Sequence, residues 1–429
     1  MKKGRFTTKA LLQFLVCGLG SFAIFYVLFC RASFYDAFVE AMGVTNTQFG
    51  ICYAVYGWIA VVGYLVGAFV ADRVAPRWLM FISFTVTGIC NFILGLWPSY
   101  GVTLALYGIM GVSTTVTFWD CMLKCNRIFG REIGDENKAF SWLQVVRGIG
   151  EIAVSTLIIV IFSQFINAVA GLRFVVWTYA FILIAFGIIS IFVFDDGKES
   201  EESGKSEEDR VMSDESVFRQ TIRLLKNPDL WLCILIAFGG YNIGSCFGSY
   251  FGDMAGCFGA TTTAMAFIGT LDAWMKPVGA LAGSFMTTKK GPTFLLQGVT
   301  WIYMVIIAVI LLIPKTSAFM PVFLGLMCLE IALTGLFRSQ KYIQIREAGI
   351  PLKDTGCAFG IIATVIYSAD AFMPTFIGMW LDKYDEVTAY NHLYMWLLAS
   401  GALTIVAVFI FRRRNKARIA SVIAEDNAK

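Results

Sequence analysis

The chain has 429 residues, of which 58% are hydrophobic and 15% charged, and its formal net charge is +4. Soluble domains carry about 45–50% apolar and about 25% charged residues, so a water-covered fold of this size is excluded. The single histidine, His392, argues against His-built metal centres and against hydrolases that need a histidine base.

The chain opens Met-Lys-Lys-Gly-Arg and runs into an apolar stretch from Leu11 to Cys30 with no small-residue cleavage site. A secretory signal has an apolar core of about 7–15 residues, so an uncleaved first span is expected. A spanning helix needs about 20 apolar residues. In chain order such runs cover 10–33, 46–71, 78–97, 100–126, 139–165 and 172–194. A second set covers 228–250, 260–286, 292–313, 318–344, 353–380 and 388–411. Between the sets lies a stretch rich in Lys, Glu and Ser, read as a solvated linker with a short amphipathic helix at Val217–Leu225. The organisation expected is a six-helix bundle over 1–195, a linker over 196–226 and a second six-helix bundle with a basic tail over 227–429.

Lys and Arg are distributed unevenly between the loops. With the N-terminus inside, Lys2, Lys3, Arg5, Arg73, Arg77, Arg127, Arg131, Lys138, Arg219, Arg223, Lys226, Lys289, Lys290, Arg346, Lys353 and the Arg412–Arg414 cluster fall on the inner side. Only Arg173, Lys315 and Lys383 are left outside. The asymmetry predicts a multi-pass protein of the cell membrane with both termini and the linker in the cytoplasm.

The halves repeat. Phe34 and Asp36 recur as Phe251 and Asp253, Gly63 and Gly67 as Gly279 and Gly283, Pro76 as Pro292, and Glu151 as Asp370. A repeat in one topology at half the chain length predicts two bundles related by a pseudo-two-fold axis along the membrane normal. The predicted fold class is therefore all-α, integral to the membrane, with twelve transmembrane helices. A solute site is expected between the bundles near the midplane.

The loop after the second span reads Gly67-Ala-Phe-Val-Ala-Asp72-Arg73-Val-Ala-Pro76-Arg77 and resembles the signature loop of the major facilitator superfamily. The second-half copy, from Gly283 to Pro292, keeps Lys289 and Lys290 but lacks the acid. Cys30-Arg31-Ala-Ser-Phe34 together with that loop is similar to the sugar-phosphate permease, or organophosphate antiporter, branch. The resemblance implies alternating-access transport of a small solute, with Arg31 at a substrate-binding position. That branch has a second arginine in the seventh span, whereas here the stretch reads Tyr241-Asn-Ile-Gly244-Ser245-Cys246, with no base.

A charge in the bilayer interior costs roughly 2.5–3.5 kcal/mol on insertion scales, so intramembrane ionisable residues are the functional candidates. Asp120 and Lys124, four apart, share a face of the fourth span, which Arg127 continues. Arg147 and Glu151 do the same in the fifth, and Asp272 and Lys276 in the eighth. Such pairs serve equally as ion pairs that ease insertion. Glu330, Arg338 and Lys341 follow in the tenth span. The expected substrate-binding residues are Arg31, Tyr35, Trp119, Lys124, Arg147, Tyr241 and Tyr367, and the expected proton carriers are Asp36, Asp120, Glu151 and Asp370. Gating is expected from Asp72, Arg73, Arg77, Arg127 and Arg338. The eleven cysteines, without a CxxC pair, are expected to pack as small hydrophobes. No Walker loop is present. No enzymatic activity, cofactor, metal or nucleic-acid partner is expected, and the chain is expected to be a monomer in the lipid bilayer.

Three functions fit these residues. The first is a secondary transporter of a small organic anion (a sugar phosphate, sugar acid, carboxylate or sulfonate), working as a symporter or an antiporter. The second is a proton-coupled exporter of drugs, in which Asp36, Asp120 and Glu151 dominate the cavity. The third is a transporter-like sensor that signals through a partner.

Overall fold

The computed structural model describes residues 8–133, 136–194, 217–286, 291–342, 344–351 and 354–427. Residues 196–216 of the expected linker over 196–226 and the basic pair Lys289 and Lys290 lie outside the described residues. So does the side chain of Asp72.

The first apolar run forms α1 (Thr8–Phe29) and stops short of its predicted end. A turn at Cys30 begins a separate helix, α2 (Arg31–Met42). The Cys30 carbonyl accepts from both Ser33 N–H and Phe34 N–H, a tight turn that redirects the chain. Then come α3 (Asn46–Arg73), α4 (Pro76–Leu94) and α5 (Tyr100–Val112). A Thr45–Gln48 capping box opens α3, satisfying otherwise unpaired N–H groups. Pro76 stands in the first turn of α4, where its missing N–H costs nothing. A π-helical turn over Ser113–Trp119 joins α5 to α6 (Asp120–Ile133), so the fourth span is one rod from Tyr100 to Gly130. Helices α7 (Glu136–Phe162) and α8 (Ala168–Val193) complete the first half.

The second half starts with the amphipathic α9 (Val217–Leu225) at the position expected from the sequence. It continues with α10 (Pro228–Gly256), α11 (Thr262–Met286), α12 (Pro292–Leu312) and α13 (Met320–Gln340). A one-turn α14 (Gln344–Glu347), α15 (Thr355–Lys383), α16 (Glu386–Arg414) and the tail helix α17 (Lys416–Asn427) follow. No strand occurs among the described residues. Ten rods are both long and apolar enough to cross a membrane. With α3 and α11, 28 and 25 residues long, they make the twelve long helices of the described chain.

The chain clusters into two compact units. One holds 1–204 with 261–273 and 374–378; the other holds 205–260, 274–373 and 379–429. Within the first, α4 runs along α8, and α1 packs on α7 and α8. Tyr107, Tyr179 and Phe84 are fully buried there. Within the second, α10 runs along α16, with Phe247, Tyr250, Tyr303 and Tyr394 in the core. Outward faces keep Phe192, Leu281, Leu312 and Phe409 more than half exposed, a surface that only lipid covers without cost. The backbone kinks close to the sequence repeat: Phe34 in α2, and in α10 Tyr250, one residue before Phe251, leave helical geometry at φ −139° and −127°.

Polar latches close one end of the second unit. Arg223 of α9 makes a two-pronged contact with Asp354, at 2.9 and 3.0 Å, and Gln220 adds a third hydrogen bond at 2.8 Å. Asp354 stands immediately before α15. Asp229, in the first turn of α10, accepts from Arg414 at 2.8 Å and from Asn415 at 3.1 Å. Glu347 is fully buried and accepts from Thr293 N–H at 3.3 Å, satisfying a donor at the start of α12. Burial pushes its carboxyl above the ordinary range, and the hydrogen bonds from Thr293 pull the other way.

Candidate functional site

Among the described residues a dense polar grouping lies in the second unit, on α10, α13 and α15. Glycines bring the first two together. A Cβ on Gly240 would stand 2.1 Å from the Phe337 ring, and one on Gly244 would stand 2.4 Å from Thr334 Oγ1. This closeness sets Tyr241 beside the end of α13, where Arg338 and Lys341 share one face.

Asp370 of α15 is held by two hydroxyls from α10. Tyr241 OH donates to Oδ2 at 2.5 Å, and Ser245 Oγ donates to Oδ1. Tyr241 and Ser245 are four apart, one helical turn, so both point the same way. The Lys341 ammonium lies 4.8 Å from the Tyr241 ring centre, 4.8 Å from that of Tyr367 and 5.0 Å from that of Tyr342. It also donates to Tyr367 OH at 3.4 Å. The Arg338 guanidinium lies 5.3 Å from the Tyr241 ring centre. Tyr241 and Tyr367 meet edge to face at 5.2 Å. Lys341 is only 5% exposed and Tyr241 only 7%. Two cations, three phenols and one carboxylate thus meet over a few ångströms. Ring faces attract the cations and hydroxyls satisfy the acid. Two turns before Arg338, the buried Glu330 accepts from Thr334 at 2.8 Å, and Thr334 in turn pairs with Tyr303 OH at 2.9 Å.

In the first unit the expected residues form separate groups. Arg31 opens α2, is 3% exposed, and stacks 4.1 Å over the Tyr53 ring. Tyr35 packs on Phe49 at 5.4 Å in the apolar core. Asp120 follows the π turn and faces α3. A Cβ on Gly67 would stand 2.3 Å from Asp120 Oδ2, so the glycine is what admits the carboxylate. Lys124, one turn on, donates to the Ala71 carbonyl at 2.9 Å. Trp119 lies between Phe25 and Tyr64, at 6.0 and 5.9 Å. Arg147 and Glu151 are half-buried on α7, and Ser155 Oγ donates to the Glu151 carbonyl. Asp36 is exposed on α2, Arg73 is exposed at the end of α3, and Arg127 is exposed midway along α6. Arg77 donates to the Phe194 carbonyl at 2.9 Å, tying the start of α4 to the end of α8.

Of the expected residues, Tyr241, Tyr367, Asp370 and Arg338 come together. Lys341, Tyr342 and Ser245 belong to the same grouping and were not among the expected site residues. Lys341 read as one more basic residue at an inner span end. The signal available was its spacing of three from Arg338, with a tyrosine directly after it. Among the described residues no group of three or more His, Cys, Asp or Glu is placed to hold a metal ion. All eleven cysteines are free thiols.

The chain matches the sequence profile of the Major Facilitator Superfamily over residues 17–374. It is 22% identical over 422 residues to the inner membrane protein YqcE of Escherichia coli (strain K12), covering 97% of this chain and 96% of the relative. It is 24% identical over 404 residues to the inner membrane protein YihN of the same organism, covering 92% and 94%. Among solved structures it superposes on the nucleoside transporter NupG with a TM-score of 0.73, at 13% identity over 95% of this chain and 99% of that one. On a D-xylose-proton symporter the TM-score is 0.69, at 14% identity over 94% and 97%. At these identities the structural likeness shows the fold. Twelve long helices, a polar grouping on their faces and a profile match across most of the sequence lead to one conclusion: the chain belongs to the major facilitator superfamily and is a multi-pass membrane protein that works as a secondary transporter, not an enzyme.

Proposed function

We propose that this transporter carries a small organic anion (a sugar phosphate, sugar acid, carboxylate or sulfonate) by alternating access, coupled to a proton or a counter-anion. The observation that carries the reading is the pair of cations, Arg338 and Lys341, set against phenol faces beside Asp370. A guanidinium and an ammonium hold an anion by charge-assisted hydrogen bonds. The tyrosine rings offer a face to a carbon skeleton. Arg31, buried on Tyr53 in the first unit, is a separate anion-binding candidate of this reading. Asp370 is the proton carrier of this reading. A D-xylose-proton symporter has the same fold, which is in keeping with a proton-coupled reading. Both termini face the cytoplasm, as the loop distribution of Lys and Arg favours. The domains of this reading are the bundles over 1–195 and 227–429, and Arg77 is among its gating residues, bonded as it is to the Phe194 carbonyl.

The test is uptake of labelled gluconate, glucose 6-phosphate and ethanesulfonate by purified protein in liposomes. A charged hydrogen bond is worth about 1.5–3 kcal/mol, so Lys341→Gln is expected to raise KM about 10–100-fold for the transported anion. A KM unchanged in both Lys341→Gln and Arg338→Gln rules the site out.

A further inference from the structure

We infer that Tyr241 is the positioning residue that links protonation of Asp370 to anion affinity at Arg338 and Lys341, so that proton and anion bind together. The inference rests on the anion reading above and goes past it, because it assigns the coupling to one phenol.

The geometry gives Tyr241 two opposite partners at once. Its hydroxyl donates to Asp370 Oδ2 at 2.5 Å. Its ring lies 4.8 Å from the Lys341 ammonium and 5.3 Å from the Arg338 guanidinium. No other side chain among the described residues combines a hydrogen bond to this carboxylate with contact to both cations. The charged and titratable groups around Asp370 are Tyr241 from α10, Arg338 and Lys341 from the end of α13, Tyr342 in the turn after it, and Tyr367 on its own helix. Ser245, from α10, supplies the second hydroxyl. Glu330 lies two turns before Arg338 on α13 and accepts from Thr334.

Two states follow from the chemistry of the phenol, which both donates and accepts. With Asp370 ionised, the carboxylate accepts from Tyr241 and Ser245. Its negative charge offsets the cations across one ring width, which weakens their hold on an incoming anion. When Asp370 takes a proton from solvent on Oδ2, that O–H needs an acceptor, and the Tyr241 oxygen becomes one. The Tyr241 hydrogen then turns to the anion, and Arg338 and Lys341 lose the offsetting charge. One proton is gained by the carboxyl, and no bond to carbon or sulfur changes. Release of the anion reverses the exchange.

Tyr241→Phe separates the two functions of the residue, because it keeps the ring under the cations and removes only the hydroxyl. The measurement is KM against pH for gluconate and ethanesulfonate, which stay ionised near neutrality, in liposomes held at one pH inside and out. The wild type is expected to show a KM that falls on acidification through one midpoint. In Tyr241→Phe the midpoint is expected to rise by about one to two pH units, since the carboxylate loses a charge-assisted donor. Ser245→Ala is expected to move it the same way by less. Asp370→Asn is expected to give a KM independent of pH. A KM raised by the same factor at every pH in Tyr241→Phe, with the midpoint unmoved, overturns the coupling role and marks the phenol as a packing group. Transport of neither of these anions, nor of glucose 6-phosphate, by the wild type overturns the anion reading itself, a result distinct from an unmoved midpoint.

Discussion

Lys341 shows how a buried ammonium is kept inside a membrane fold. Three tyrosine faces surround it at about 5 Å and one phenol oxygen accepts from it, so the cost of leaving water is offset locally. Asp385 works at the opposite extreme of exposure. It precedes α16 and accepts from Thr388 N–H at 3.0 Å, an N-cap in full contact with solvent. The Thr388 hydrogen bonds hold its carboxyl below the ordinary value of 3.8. A depressed acid stabilises above its unfolded value, and that contribution disappears as pH falls through the folded one. Asp385→Ala is therefore expected to speed amide exchange at Thr388 at neutral pH, with variant and wild type converging once the carboxylate is protonated. Equal exchange at neutral pH would show that the cap does not hold this helix start. In the sequence, Arg147 and Glu151 share their four-residue spacing with two other pairs and stand out because Glu151 recurs as Asp370. Spacing within one helix says nothing of which other helix faces it. The Asp370 grouping depends on Gly240 and Gly244 drawing α10 against α13, a tertiary fact that single residues do not announce.

At the scale of elements, close helix pairs are bought with glycine. A Cβ on Gly279 of α11 would stand 1.5 Å from the Ala332 carbonyl oxygen, and one on Gly335 of α13 would stand 2.0 Å from the Lys276 carbonyl oxygen. Both obstacles are backbone, which cannot rotate aside as a side chain tip can. Gly279→Ala is expected to destabilise the folded state by at least the roughly 1–3 kcal/mol of ordinary overpacking, read as a drop in thermal midpoint in detergent. Gly298→Ala on α12 meets nothing within 4 Å, so its midpoint is expected to hold or rise, because alanine is the better helix former. A Gly279→Ala protein as stable as wild type would mean that α11 and α13 are not in backbone contact. The Gly63 and Gly67 recurrence at Gly279 and Gly283 was legible as helix packing, whereas the π turn at Ser113–Trp119 was not. That turn is anchored by tertiary hydroxyl contacts. Thr114 meets Tyr56, Ser113 meets Thr87, and Thr117 meets Ser83.

Over the whole molecule the spans were readable because lipid imposes one rule on every segment, about 20 apolar residues with all backbone groups paired internally. The first span ended early at Cys30, where a local turn interrupts an unbroken apolar run and composition therefore carries no mark of it. In the second unit, two of the three helices that carry the polar grouping are latched at one end. Asp354 at the start of α15 is bound by Arg223 of α9, and Asp229 in α10 by Arg414 at the end of α16 and Arg418 of α17. Charge thus fixes the starts of α10 and α15. The central claim is that this chain by itself moves a small organic anion through its helices. Counterflow in sealed liposomes tests it most directly. Purified protein is preloaded inside with unlabelled gluconate, glucose 6-phosphate or ethanesulfonate, and the same labelled anion is placed outside. Label is expected to rise transiently above its equilibrium level for at least one of the three, and to do so far less in Lys341→Gln. Label that never exceeds the protein-free control for any of them contradicts it.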